Sequence, residues 1–141
     1  MPTRTSTADW TGTLKEGRGH MRFGGGAYDG AFTWASRFSD GGGTNPEELI
    51  ASALAGCFSM ALSGDLGKAG FTPKEIRTNA ELHLDTVDGK PTITVVELTV
   101  GAEVPGIDEA TFQKIAAGTK DGCPVSRALK ARITLDATLE G

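Results

Sequence analysis

The sequence predicts an α+β fold formed by a single domain, residues 1–141, and two patterns support that prediction. Stretches of alternating apolar and polar residues occupy much of the first forty residues and return after residue 75. One long helical pattern lies between them, and the helices do not alternate regularly with the strands. This irregular order favours an α+β fold over a wound α/β sheet. A chain of 141 residues is also large enough to bury a core without disulfides or a structural metal.

The N-terminal third predicts three short strands separated by glycine-rich turns. The alternating stretches are residues 10–14, 20–23 and 32–38. In the last of them, alternation puts Arg37 on the face opposite Phe38, because successive side chains of a strand point to opposite sides. We therefore expect a strand to carry Arg37 and to end at the loop Gly41-Gly42-Gly43.

A long helix is predicted from Pro46 to about Lys68. Asn45 suits the N-cap, proline is favoured at the first helical position, and Glu48 completes a capping box. The first half of the helix is apolar on nearly every side and rich in alanine, glycine and serine. That composition predicts burial all round. We expect a second helix or a second copy of the chain to cover this surface.

The rest of the chain predicts a hairpin, two helices and a final strand. Asp88-Gly89 is a favoured two-residue hairpin turn. Asp108 suits the N-cap of one helix, and Gly122-Cys123-Pro124 opens a shorter one. The predicted strands are residues 76–87, 92–104 and 131–139, and the predicted helices are residues 109–120 and 124–129.

Composition excludes several classes of partner. The net charge is −4, and the 14 basic residues form no stripe, so we expect no nucleic-acid partner. The longest apolar run, Leu49 to Leu62, is shorter than the roughly 20 residues of a membrane span, so we expect no membrane partner. The N-terminus is polar and resembles no signal peptide, which predicts a cytoplasmic protein. His20 and His83 lie far from each other and from the cysteines, so no metal site with finger-like spacing is expected.

The two cysteines are the candidate reactive groups. Cys57 lies in the apolar half of the long helix, where burial raises the pKa of a thiol. Cys123 lies where a helix begins, and free N–H groups at that point stabilise a thiolate. Helix electrostatics alone therefore predict that Cys123 is the more acidic thiol. For Cys57 to be the nucleophile, a cation such as Arg37 must reach it, and Glu47 is the nearest carboxylate that could hold a buried arginine.

Helix geometry restricts this arrangement. Glu47 and Cys57 are ten residues apart, so along one straight helix they stand about 15 Å apart. Either Arg37 spans that gap, or the Glu47 beside a given thiol belongs to the other subunit of a dimer. Simpler roles remain open as well: Glu47 can serve only the helix terminus, Arg37 can be a solvated surface residue, and both cysteines can be packed core residues.

Several motifs together resemble the OsmC/Ohr family, named after osmotically inducible protein C and organic hydroperoxide resistance protein. Residues 44–49 and 57–62 are similar to its first signature, and residues 104–107 and 122–126 to its second. Arg37-Phe38 ahead of the glycine loop is similar to the OsmC branch. The resemblance extends over essentially the whole chain. It implies an intertwined α+β homodimer, with antiparallel sheets around a long central helix and two sites at the subunit interface.

The resemblance also implies a thiol peroxidase that reduces organic hydroperoxides in oxidative and osmotic stress defence. Cys57 matches the peroxidatic cysteine and Cys123 the resolving one, while Arg37 and Glu47 match the family's arginine and glutamate. This order of attack contradicts the prediction from helix electrostatics. We adopt the family's order, because a local cation can outweigh a helix terminus.

No cofactor and no metal are implied, and an external dithiol, of the lipoyl-protein or thioredoxin type, regenerates the enzyme. An apolar pocket that includes Phe38, Phe58 and Met60 would favour organic hydroperoxides over hydrogen peroxide. The alternative is a non-catalytic dimeric stress or binding protein of the same fold whose cysteines are merely packed. A thiol-based redox sensor is disfavoured, because the sequence has no DNA-binding region.

Overall fold

The computed structural model describes every residue from Met1 to Gly141 and confirms the α+β class. The chain forms two compact units, Met1–Leu49 and Ile50–Gly141, and the boundary between them falls within the long helix. The elements in chain order are β1 (Ser6–Thr11), β2 (Arg18–Phe23), β3 (Asp29–Phe32), α1 (Trp34–Phe38), α2 (Pro46–Lys68), β4 (Glu75–Val87), β5 (Lys90–Glu103), α3 (Glu109–Gly122), α4 (Pro124–Ala128) and β6 (Arg132–Glu140).

The first unit contains an antiparallel sheet in the order β1-β2-β3, and it corrects two predicted elements. The first strand is Ser6–Thr11 and not residues 10–14, because the chain leaves the strand at Gly12, whose φ is +99°. Residues 32–38 do not form a strand: β3 ends at Phe32, and Arg37 lies on the short helix α1. The reason is a local capping box. The Ser36 N–H donates to Thr33 Oγ1 at 3.1 Å, and the Thr33 N–H donates to Ser36 Oγ at 2.8 Å. These reciprocal hydrogen bonds start a helix where the hydrophobic alternation alone indicated a strand.

The long helix α2 begins where its capping residues predicted. Asn45 Oδ1 accepts the Glu48 N–H at 2.7 Å, and Pro46 occupies the first helical position. The helix ends at Lys68, and Gly70 follows with a φ of +92°, the left-handed conformation with which helices commonly end. Local backbone chemistry is therefore sufficient to set both ends of this element.

The second unit is a three-stranded sheet in the order β4-β5-β6, with helices α3 and α4 in the connection between β5 and β6. The β4–β5 hairpin turns at Asp88-Gly89, where both residues have positive φ, as the favoured turn requires. Strands β5 and β6 are parallel, so this sheet is mixed and not purely antiparallel. Parallel neighbours need a long crossover connection, and the two helices supply it.

The main core of the second unit lies between α2, β5 and α3. The alternate residues of β5 are buried, and four residues of α2 at a spacing of four form one buried stripe. With two residues of α3, the buried apolar set is Val96, Leu98, Val100, Ala102, Leu54, Phe58, Leu62, Leu66, Phe112 and Ala116. A spacing of four on the helix and of two on the strand puts each set on one face.

Helix α2 is not buried on all sides, which differs from the prediction for its first half. Met60, on the side opposite the core stripe, is 81% exposed. The chain itself therefore covers only one face of an apolar helix. The length and composition of α2 would also suit a membrane-spanning helix. However, the buried stripe of α2 described above packs in the core of the protein.

Candidate functional site

An arginine–glutamate pair is the least exposed charged contact of the first unit. Arg37 Nε donates to Glu47 Oε1 at 2.9 Å, and Arg37 Nη2 donates to Glu47 Oε2 at 3.0 Å. The Glu47 side chain is only 11% exposed, whereas that of Arg37 is 40% exposed. Two parallel bonds of this kind fix the plane of the guanidinium, so Glu47 holds Arg37 in one orientation and leaves its outer edge open.

The loop between α1 and α2 positions this pair. The buried Ser36 hydroxyl donates to the Thr44 carbonyl at 2.7 Å, and the Asn45 amide donates to the Ser36 carbonyl at 2.9 Å. Gly43 has a φ of +107°, and a Cβ there would lie 2.6 Å from the Ala31 carbonyl oxygen. Glycine is therefore required at this point of the loop, and the loop keeps the end of α1 beside the start of α2.

An aromatic cavity of about 270 Å³ adjoins Arg37 in the same unit. The Phe38 ring lies 5.2 Å from the Arg37 guanidinium carbon and 5.7 Å from the Trp34 ring. Sequence reasoning named only Phe38 among the lining residues, although the aromatic residues flanking Arg37 were a usable signal. The full lining is Trp10, Leu14, Phe32, Thr33, Trp34, Arg37 and Phe38.

The two cysteines are brought together in the second unit, and both are free thiols. Cys123 is 1% exposed and donates its thiol hydrogen to Ser126 Oγ at 3.1 Å, whereas Cys57 is partly exposed. Burial raises the pKa of the Cys57 thiol, and the neighbouring Cys123 raises it further. The backbone N–H of Val125 opposes this rise in the pKa of Cys57 by donating to its sulfur.

Helix electrostatics predicted that the start of α4 would lower the pKa of Cys123, but in the structure it acts on the pKa of Cys57. Cys123 is the N-cap of α4, but its side chain accepts no N–H from that helix. The backbone N–H of Val125, the second residue of α4, acts to lower the pKa of Cys57. The Cys123 side chain turns to Ser126 instead, so the start of α4 opposes, without cancelling, the rise in the pKa of the neighbouring Cys57.

Two buried polar contacts hold the segment that carries Cys123. Thr119 Oγ1 donates to Asp65 Oδ2 at 2.7 Å, which ties the end of α3 to α2. The Cys123 N–H then donates to the Thr119 carbonyl at 3.0 Å. Sequence reasoning missed Thr119, Asp65 and Ser126. Only Ser126 had a local signal, since it lies three residues after an N-cap position.

The three residues predicted to line one apolar pocket differ in their surroundings in the structure. Phe38 lines the aromatic cavity. Phe58 is fully buried in the core of the second unit, because it belongs to the α2 stripe that faces β5, so it has no surface with which to line a pocket. Met60 lies on the opposite side of α2 and is almost fully exposed.

The fold is that of an α+β protein that carries an arginine clamped by a buried glutamate in its first unit and a pair of neighbouring thiols in its second. The model of the family described as OsmC-like protein matches residues 39–138 of the chain. The chain therefore belongs to the OsmC family.

Named relatives agree with this assignment. Peroxiredoxin OsmC of Escherichia coli (strain K12) is 48% identical over 134 residues, which cover 94% of each protein. An organic hydroperoxide resistance protein of Xanthomonas axonopodis pv. citri is 33% identical over 100 residues, 70% of this chain and 68% of that protein. The crystal structure of an OsmC-like protein from Mycoplasma pneumoniae superposes with a TM-score of 0.77 over 99% of both chains at 17% identity, a likeness of fold. The relatives' names support a peroxidase-type activity.

Proposed function

We propose that this protein is a cytoplasmic thiol peroxidase that reduces organic hydroperoxides to alcohols. The observation that carries the proposal is the pair of neighbouring free thiols in the second unit, of which Cys57 is the more exposed. A partly exposed thiol is reachable by a peroxide, and a cation that offsets the effect of burial on its pKa would make it a suitable nucleophile. A second thiol beside it is suited to complete a disulfide.

Exposure supports the assignment of roles within the pair. A peroxide can reach the partly exposed Cys57, whereas Cys123 is buried and its thiol hydrogen is bound to Ser126. Cys57 is therefore the attacking thiol in this proposal, and Cys123 resolves the product. The order agrees with that of the family and with the direction of the Val125 N–H.

The proposed reaction has three steps. The Cys57 thiolate attacks one peroxide oxygen, the O–O bond breaks, and the alkoxide leaves and takes up a proton to become an alcohol. The sulfur of Cys57 then carries a sulfenic acid. The Cys123 thiol attacks that sulfur, water leaves, and a disulfide forms. An external dithiol, of the lipoyl-protein or thioredoxin type, reduces the disulfide by exchange and is itself oxidised.

Arg37 is the proposed cation of the site, and Glu47 is its positioning residue. A guanidinium stabilises a thiolate and donates to a peroxide oxygen, and the Arg37 edge not bound by Glu47 remains free for that contact. Because Glu47 holds the guanidinium through two bonds, the orientation of Arg37 does not have to be established when substrate binds.

The aromatic cavity beside Arg37 supports a preference for organic over inorganic peroxides. Its volume of about 270 Å³ suits the hydrocarbon part of a small organic hydroperoxide, and its walls are largely aromatic. Burying that hydrocarbon part contributes about 25 cal/mol per Å² of apolar surface removed from water. Hydrogen peroxide has no such surface, so it gains nothing from the cavity.

We also propose that the active species is an intertwined homodimer. Helix α2 leaves an apolar, small-residue surface uncovered, and all six residues of β1 are exposed, so the first unit buries little of its own surface. A second copy of the chain is the proposed cover for both surfaces. The exposed small or apolar residues of α2 are Ser52, Ala53, Gly56, Met60, Ser63, Gly64 and Gly67.

A thiol count tests the proposed function against a packed, inert cysteine pair. The reduced protein is mixed with one equivalent of cumene hydroperoxide, denatured, and titrated for free thiols. Peroxidase chemistry predicts a loss of both thiols and the formation of one equivalent of cumyl alcohol, whereas a non-catalytic protein of the same fold keeps both thiols. The Cys57→Ser variant is the matched control, because it should keep its remaining thiol. An unchanged count in the unmodified chain would refute the proposal.

A further inference from the structure

A second cluster of chemically competent side chains lies on the hairpin β4–β5. Glu81 of β4 and Glu97 of β5 stand directly opposite each other in the antiparallel register, and His83 lies two residues further along β4. The ligand atoms of these three residues all lie within 4.8 Å of one another. His83 Nε2 is 2.6 Å from Glu97 Oε2. Two neighbouring strands of one sheet thus direct a nitrogen and two carboxylates at a single point.

The charge of this cluster is not balanced by the protein's own cations. Like charges directly opposite each other on paired strands are unfavourable, and no lysine or arginine forms a salt bridge with Glu81 or Glu97. Three other acidic residues of the same sheet do have such partners. Glu75 and Glu140 contact Arg77, and Glu103 contacts Lys74.

Histidine alone compensates the cluster only in part. His83 contacts Glu97, whereas Glu81 has no charged partner within salt-bridge distance. A divalent cation held between the three side chains would balance both carboxylates.

We propose that His83, Glu81 and Glu97 form a binding site for a first-row divalent cation of the zinc type. His83 Nε2 and one oxygen from each carboxylate would serve as ligands, and water would complete the coordination. An imidazole with carboxylates suits Zn²⁺, whereas Mg²⁺ and Ca²⁺ prefer shells made only of oxygen. The earlier expectation of no metal concerned finger-like spacing, which cannot detect ligands that only strand pairing brings together.

The site stands apart from the proposed peroxidase chemistry. Neither cysteine belongs to it, and the proposed reaction does not use it. Because its ligands join two strands, a bound ion would link β4 to β5. The ion would therefore stabilise the folded chain by mass action, with a melting temperature that rises with the free metal concentration.

Equilibrium dialysis against Zn²⁺ tests the proposal. The full chain is used with Cys57→Ser and Cys123→Ser, since free thiols bind zinc themselves. One ion per chain is expected, together with a rise in melting temperature that a chelator reverses. Loss of a supporting residue outside the ligand shell already costs about 10–100-fold in metal affinity, so His83→Gln and Glu97→Gln should each weaken binding at least tenfold. Neither side chain is buried, so the melting temperature of each metal-free variant should stay close to that of the parent.

The other histidine provides a matched control. His20 Nδ1 lies 2.8 Å from Asp29 Oδ1, the same kind of contact, but Arg22 also binds Asp29 and balances its charge. His20→Gln should therefore leave zinc binding unchanged. The proposal is overturned if the parent retains no zinc, if His83→Gln and Glu97→Gln bind as well as the parent, or if His20→Gln loses as much affinity as they do.

Discussion

Replacement of Glu47 by glutamine, compared with the same change at Glu48, separates a positioning role from a helix-terminus role. Both carboxylates lie in the first turn of α2, so both interact favourably with the N-terminal end of the helix. Only Glu47 holds Arg37, through bonds of 2.9 and 3.0 Å. Glu48 is exposed, and its one side-chain contact is to Asn45 at 3.5 Å. The main difference between the two variants is therefore the loss of the arginine clamp in Glu47→Gln.

The expected magnitude follows from that difference. Either change removes a first-turn charge worth about 0.3–1 kcal/mol. Glu47→Gln also converts two charge-assisted bonds, typically about 1.5–3 kcal/mol each, into at most one neutral acceptor contact. Because the Arg37 side chain is 40% exposed, solvent screening reduces this loss substantially. We expect Glu47→Gln to lower the free energy of unfolding by about 1–2 kcal/mol more than Glu48→Gln.

Two assays check the comparison. Urea unfolding gives the stability difference, and stopped-flow oxidation by cumene hydroperoxide gives the rate of the first step. Misplacement of a catalytic group by about 1 Å can cost on the order of 100-fold, so Glu47→Gln should slow this step by at least tenfold while Glu48→Gln leaves it near the parent rate. Equal stability losses with unchanged oxidation rates in both variants would show that Glu47 serves only the helix terminus.

Four further outcomes are expected. Cys57→Ser should abolish peroxide consumption, whereas Cys123→Ser should react once and accumulate a sulfenic acid detectable by dimedone labelling; the reverse result would exchange their roles. Arg37→Ala should move the midpoint of the oxidation rate against pH upward, because burial already raises the pKa of Cys57 and loss of a cation disfavours the thiolate further; an unchanged midpoint would remove Arg37 from the site. Trp34→Ala should raise the KM for cumene hydroperoxide and leave the rate with hydrogen peroxide unaltered, since only the organic substrate fills the cavity; equal effects on both would argue against the cavity as a substrate pocket. Gly56→Leu should produce monomers in sedimentation, whereas Gly118→Leu on α3 should not, although neither glycine has a side chain or distant backbone within 4 Å of an added Cβ; a dimeric, active Gly56 variant would contradict the proposed interface.

Elements with strong local signals were predictable from the sequence. Asn45 and Pro46 start α2, Asp88-Gly89 turns the hairpin, and Asp108 caps α3. Each depends on hydrogen bonds or backbone angles within a few residues, which is why composition and spacing are sufficient. The prediction for residues 32–38 was wrong for a related reason. The segment has both the alternation of a strand and the residues of a capping box, and the hydrogen bonds of the capping box lead to a helix.

The sequence by itself determined the α+β class, the boundaries of α2 and the identity of the two thiols as candidates. Only the tertiary structure decided that β6 runs parallel to β5, that the Val125 N–H is directed at Cys57, and that Phe58 is enclosed in the core. Hydrophobic periodicity specifies which face of an element is buried, but it does not specify the partner that covers that face. Contacts between residues far apart in the chain determine which element covers a given face, and such contacts leave no local pattern in the sequence.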